Sequence, residues 1–342
     1  MTVRVNKQPF NIREKLSELE RPIGVKGNEL MRAETAQDAR DLVSAGRKNL
    51  IINGAMEVAQ RNTSLTGRTD SATVLTVDRF HHHASGGTFN TSQQTVTNGG
   101  MPGLPIKFKN YLKFDVTSGA NNCGVWHTIE DVRTVQGLHT YSFYARGTNP
   151  SSGHYELDFR QYFGSGGSSI AELTPYDVVL SSEWKRYTFT FTPDSLSGKT
   201  VGAGSYYRIF LRQPDDDNTT NAYSFEITGV QLEAGGNATD FEHRSYGEEL
   251  ALCQRYYQVH DGHYLQVVSP TTGSNADFYN TLAYWVPMRD TPDVSQSYTN
   301  SGASTNNLVT VTATKAKFSL RPSNANTEVY VRADTLRLDA EL

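Results

Sequence analysis

The stretch HYELDFRQYF, residues 154–163, alternates apolar and polar side chains with a period of two. Successive side chains of a strand point to opposite faces. Tyr155, Leu157, Phe159 and Phe163 therefore share one face, with Gln161 as an exception among them. Glu156, Asp158, Arg160 and Tyr162 share the other. SYYRIFLRQ (205–213) repeats the pattern, with Tyr207, Ile209 and Leu211 opposed to Tyr206, Arg208, Phe210 and Arg212. Two such strands with one apolar and one polar face belong to a sheet that packs a core on one side only.

Working outward, the same signal recurs in NLIING (49–54), YLKFDVT (111–117), CGVWHTIEDV (123–132), HTYSFYARG (139–147), WKRYTFTFTP (184–193) and YSFEITGVQLEAG (223–235), separated by Gly, Ser, Asn and Asp loops. Many short strands with no helical pattern between them predict an antiparallel β-sandwich of jelly-roll type over residues 49–245. Val125, His127 and Ile129 share a phase, so Trp126 projects from the opposite face. That phase puts it with Asp158, Arg160, Tyr162, Arg208 and Arg212 on one polar sheet surface. An aromatic ring beside bidentate donors and carboxylates suits a sugar, whose apolar face stacks on the ring while its hydroxyls pair with the polar groups. These six residues are the candidate glycan-binding site. The competing expectations are that the face packs on another subunit or that Trp126 belongs to the core.

A different period follows. In SYGEELALCQRYYQ (245–258), Ser245 and Glu248 form a capping box. Tyr246, Leu250, Cys253 and Tyr257 fall at spacings of four, three and four, close to a heptad seam. The expectation is a helix linking two β-regions, with these four residues packed around a threefold axis; the alternative is a helix lying on its own jelly roll. Beyond it, HYLQVVS (263–269), FYNTLAYWVPM (278–288), NLVTVTA (307–313), KAKFSL (315–320), TEVYVRA (327–333) and TLRLDAEL (335–342) predict a small C-terminal β-sandwich within residues 246–342. A fold of that size gains stability from association.

Residues 1–48 carry two short helical signals. One is NIREKLSELE (11–20), capped by Asn11. The other runs from Asn28 through ELMRAETAQDARDLVSAG to a C-cap at Gly46. Both are too polar to form a core alone, so this segment is expected either to be a disordered leader or to fold only against a partner.

The 342-residue chain is 37% hydrophobic and 20% charged with net charge −4, which offers no electrostatic case for nucleic acid or an anionic membrane. No run approaches the roughly 18 apolar residues of a membrane span, and the N-terminus lacks the apolar core of a signal peptide. Cys123 and Cys253 have neither metal nor redox spacing and read as free thiols. The nucleophile-elbow, zinc-protease and P-loop motifs are missing, and no catalytic residue is assigned. In FHHHASGG (80–87) only His81 and His83 converge on a strand, too few for a metal site without a third ligand. The loop PDDDNTT (214–220) departs from the EF-hand pattern and reads as a solvated tip.

Several stretches together resemble bacteriophage tail-fibre and receptor-binding proteins of short-tailed phages, cyanophages among them. They are NLIINGAMEVAQR (49–61), VDRF (77–80), SFYARG (142–147), FGSGGS (163–168), EWKRYTFTFTP (183–193), ITGVQLEAGGNATDFEHRSYGEELALCQRYYQ (227–258) and WVPMRDTPDV (285–294). GNELMRAETAQDARDLVSAG (27–46) resembles the helical segment that precedes a distal domain in such fibres. Residues 49–245 also resemble jelly-roll carbohydrate-binding modules that begin N-L-[IL]-x-N-G-x-F-E and hold a structural calcium. Glu57 matches their acidic residue, but Met56 replaces the Phe, and Thr228 and Gly229 stand where their last-strand acids would be. No cofactor is therefore assigned. The resemblance implies a homotrimeric virion protein of the viral tail. Residues 1–48 would attach to a tail adaptor or nozzle protein, and the β-domains would bind host glycan such as lipopolysaccharide. A polysaccharide-cleaving tailspike and a connector fibre without receptor binding are the alternatives.

Overall fold

The computed structural model describes residues 48–342 apart from 70–74, 98–99, 106, 119–120, 216, 218–221, 269–277, 302 and 323–327. The two helical segments expected before residue 48 lie outside the described residues. Asn49–Leu342 form one compact unit.

The protein is mainly β, and its larger part is a sandwich of two antiparallel sheets. The first contains β1 (Ser64–Arg68), β3 (Thr88–Thr95), β4 (Asn110–Ser118), β12 (Tyr223–Ala234), β6 (His139–Gly147) and β10 (Lys185–Phe191), in that spatial order. The second runs β2 (Phe80–Ser85), β5 (Asn121–Glu130), β11 (Tyr206–Arg212), β7 (Tyr155–Tyr162) and β8 (Ala171–Glu172), with β9 (Tyr176–Val178) also paired to β7. The period-two pattern sets which residues meet. Leu112, Phe114, Phe143, Phe225 and Ile227 of the first sheet join Val125, Ile129, Leu157, Phe159, Ile209 and Leu211 of the second in one core. Phe159 meets Phe191 at a ring separation of 4.0 Å, and Phe89 stacks on Phe114 at 4.9 Å. Such aromatic pairs add about 0.5–1.5 kcal/mol each beyond burial.

One expectation changes, and two local features explain themselves only in the fold. NLIING is not a strand but a turn held by its own asparagines. Asn49 Oδ1 accepts from the Ile51 and Leu232 amides, Asn53 sits at φ 61°, and its amide group grips Val58 in both directions. Short amide side chains tolerate the left-handed region and mimic a backbone turn, which outweighs the apolar run. Strand β3 (TFNTSQQT) has a single apolar residue, Phe89, so alternation does not reveal it; its register against β4 does. In ITGVQL, Gly229 lies at φ 61° in a bulge of β12, where a Cβ would stand 2.5 Å from the Phe108 ring. The site of the missing acid is thus a position that only glycine fills without strain.

The helix α1 is Tyr246–Gln254, with the Ser245–Glu248 capping box formed in both directions. It ends earlier than the stripe requires. Tyr257 opens the next strand instead, so Tyr246, Leu250, Cys253 and Tyr257 do not form one helical seam. Cys253 and Tyr257 are buried within the chain, Leu250 is half-buried and Tyr246 is 55% exposed. The helix is tied to the jelly roll through Glu249, which accepts from the Asn53 amide at 2.9 Å and from Arg244 at 2.8 Å. The physical reason is competition: the β-edge captures Tyr257 before a third turn can form. Both cysteines are free and buried, and burial pushes the Cys123 thiol up to about 11.

The C-terminal region comprises two three-stranded antiparallel sheets. One is β13 (Tyr257–Val268), β18 (Glu328–Asp339) and β15 (Asp293–Ser301); the other is β14 (Phe278–Ala283), β17 (Lys315–Pro322) and β16 (Ala303–Val311). TEVYVRA and TLRLDAEL are one continuous strand rather than two, and β15 was not evident from the pattern because Ser, Gln, Thr and Asn dominate it. Tyr284, Met288, Ala316, Phe318, Leu336, Leu338 and Ala340 make its core.

This region is locked to the jelly roll by its own end. Arg61 pairs with Asp339 at 3.1 Å and Glu341 at 3.3 Å, and Arg79, wholly buried, pairs with Glu341. The two guanidinium groups stack on Tyr257 and Tyr256, at 3.6 and 3.5 Å from the ring centres. Arg255 adds a two-pronged pair to Glu130 at the end of β5.

Candidate functional site

The outward face of the second sheet holds all six residues predicted to bind glycan. The ladder explains why. Trp126 of β5 lies opposite Phe210 of β11, which lies opposite Asp158 of β7. Arg208 pairs in register with Arg160, Tyr206 with Tyr162, and Arg212 with Glu156. Alternation on three neighbouring strands therefore brings residues up to 86 positions apart in the chain onto one surface.

Their roles divide. Asp158 and Arg212 are buried, at 1% and 3% exposure, and form the floor. Arg212 reaches Glu156 at 2.7 Å, Asp215 at 2.9 Å and Asp158 at 3.4 Å; Arg160 reaches Asp158 at 2.6 Å and Glu172 at 3.0 Å. These groups hold one another, so Asp158 and Arg212 support the site rather than present themselves to a ligand. Burial raises the Glu156 carboxyl while Arg212 opposes the shift.

Trp126, Arg208, Tyr162 and Arg160 are half-exposed and make the accessible layer. The Arg208 guanidinium lies 5.6 Å from the Trp126 ring centre, 5.0 Å from Tyr162 and 5.3 Å from Phe210. Tyr162 stacks flat on Tyr206 at 4.5 Å.

Residues not assigned from the sequence complete the surface. His81 stacks parallel to Trp126 at 5.5 Å, His83 flanks it at 5.7 Å, and Phe210 meets it edge-on at 5.4 Å. The alternation of HHH was the available signal for the two histidines, and they do share a face, on which both rings lie against Trp126. Gly124, next to Trp126, leaves room for Phe210, whose ring would lie 2.9 Å from a Cβ there. Among the described residues, no cluster of three His, Cys, Asp or Glu is placed to hold a metal ion. In the loop at 214–220, Asp215 is spent on Arg212, and Asp217 accepts from the Ser152 amide at 2.8 Å. No described helix is long and apolar enough to cross a membrane.

No protein-family model matches the chain, and no curated protein does. Solved structures offer distant likenesses. The enzymatically active domain of tailspike protein 4 of bacteriophage CBA120 aligns with 54% of this chain at 13% identity and a TM-score of 0.33, and the alignment spans 21% of that tailspike. The CBM22-1 xylan-binding domain of Paenibacillus barcinonensis Xyn10C is covered completely by 53% of this chain, at 13% identity and a TM-score of 0.28. The N-terminal cellulose-binding domain of Cellulomonas fimi β-1,4-glucanase C is covered to 90% by 43% of this chain, at 17% identity and a TM-score of 0.25. Identities and scores this low carry no argument about function, which has to come from the site.

Proposed function

We propose that this chain is a non-catalytic glycan-binding protein of a phage tail fibre, and that its ligand sits on the outward face of the second sheet. The observation that supports this reading is the half-exposed Trp126 ring set beside Arg208, Tyr162 and Arg160. It offers a stacking platform next to fixed donors, the combination a pyranose needs. Against catalysis, Asp158, Glu156 and Glu172 are engaged by Arg160 and Arg212, which leaves them poorly placed as acid and base.

In this reading the protein is a homotrimer of the virion tail. Residues 1–48 attach it to an adaptor or nozzle protein, and the β-regions face the host envelope, where lipopolysaccharide is the principal glycan. The support is the sequence resemblance. With Cys253 and Tyr257 buried in the protomer, the exposed Tyr246 and half-buried Leu250 are what remains of the proposed seam. Three weak sites on one fibre would bind a cell surface with high avidity.

Binding of labelled protein to host cells, with and without Trp126→Ala, tests the central claim. Adhesion that survives the substitution overturns this site. Release of new reducing ends from host polysaccharide would favour the cleaving tailspike instead. Sedimentation of wild type and Leu250→Asp tests the seam: a variant that stays trimeric removes it.

A further inference from the structure

The geometry points to an acidic glycan: Arg208 is the specificity residue of the outward face and receives a sugar-borne oxyanion, a carboxylate or a phosphate, while Trp126 carries the ring. This inference rests on the glycan-binding reading above and names the ligand's charge.

Three arginines stand on this face, and they are not equivalent. Arg160 and Arg212 are each within 3.0 Å of two carboxylates. Arg208 is half-buried between them and has none: no carboxylate among the described residues lies within ion-pair distance of it. Its immediate surroundings are the three rings of Trp126, Tyr162 and Phe210. Rings stabilise a cation but accept none of its five N–H groups in the plane of the guanidinium.

The charges around it are already shared among other groups. Burial lowers the Arg208 guanidinium below its ordinary range, and Asp158, the carboxylate that acts on it, is already divided between Arg160 and Arg212. Burial, and after it the Arg208 charge, also lowers the His83 imidazole on the far side of Trp126. A planar donor fork without a protein counter-charge matches an oxyanion with two oxygens presented together better than a single neutral hydroxyl. The neighbouring ring faces give the sugar bearing that oxyanion an apolar surface. A neutral glycan would use the ring and leave the guanidinium half-desolvated, so charge discrimination is built into this arrangement.

The test uses the full chain and an immobilised panel of oligosaccharides. Uronic-acid oligosaccharides are paired with their carboxyl-reduced counterparts, and sugar-phosphate oligosaccharides with their dephosphorylated counterparts. Wild type is expected to bind the acidic member of at least one pair about ten- to a hundred-fold more tightly, and the pair concerned identifies carboxylate or phosphate. Arg208→Gln should erase that preference, bringing the two members of the pair to equal affinity, with far-ultraviolet dichroism intact. Arg208→Lys, which keeps the charge and loses the fork, should recover only part of it. Equal binding of acidic and neutral members by wild type overturns the inference while the glycan reading stands. A preference that survives Arg208→Gln also overturns it. Failure to bind any member, acidic or neutral, overturns both.

Discussion

Two clusters of arginine in this molecule are built from the same parts and differ in how they are closed. At the junction between the β-regions, Arg61 and Arg79 are stacked on Tyr257 and Tyr256 and capped by Asp339 and Glu341. On the outward sheet face, Arg208 has its aromatic rings but no acid. Where both the stacking partner and the counter-ion come from the chain itself, the arginine joins two parts of the fold. Where the counter-ion is left out, the arginine is available to a ligand. The comparison separates a buried charge used for architecture from a half-buried one left for a ligand, although both sit among aromatics.

The comparison breaks first at Glu341. Glu341→Gln leaves Arg79 buried without its counter-charge, and an uncompensated buried charge costs about 3–5 kcal/mol. Urea unfolding should show that loss; a change below about 1 kcal/mol would mean the junction is not held electrostatically.

Acid sharpens it. Burial works against the Glu341 charge, but Arg79, His81 and Arg61 outweigh it and hold the carboxyl far below its ordinary 4.5. The folded pKa is lower than the unfolded one, so this stabilisation is present above about 4.5 and is lost as pH falls toward the folded value. Asp78 in the same cluster behaves in the opposite sense. Burial raises it from 3.8 to about 6, with Arg61 opposing. Its contribution is complete below the unfolded pKa and declines as pH rises toward about 6. Stability measured from pH 3 to 7 should lose the acid-side fall in Glu341→Gln and the decline between about 4 and 6 in Asp78→Asn.

Arg212→Met should rank next, at about 2 kcal/mol. Glu156 and buried Asp158 each lose a partner, but Arg160 still serves Asp158. The smallest effect belongs to Arg208→Gln, expected within about 0.5 kcal/mol of wild type because no ion pair is broken. A loss at Arg208 as large as that at Arg212 would erase the distinction between the clusters.

Much of the site was legible before any coordinates, for a local reason. The side-chain period in β5, β7 and β11 is two, and it can be counted along ten residues. Trp126, Asp158, Arg160, Tyr162, Arg208 and Arg212 therefore had to share a face once their strands shared a sheet. The capping box at Ser245 and Glu248 is equally local, four residues long, and formed as read. Pairing is not local. Glu341 meets Arg79 across 262 positions and Arg212 meets Glu156 across a sheet ladder, and nothing in the intervening sequence says which acid serves which arginine. The same holds for the end of α1, where the capture of Tyr257 by β18 cuts the helix short. Periodicity along the chain thus assigned each side chain to a surface. Strand order and burial then settled which charges are consumed in the fold, and so which arginine of the outward face lacks a counter-ion among the described residues.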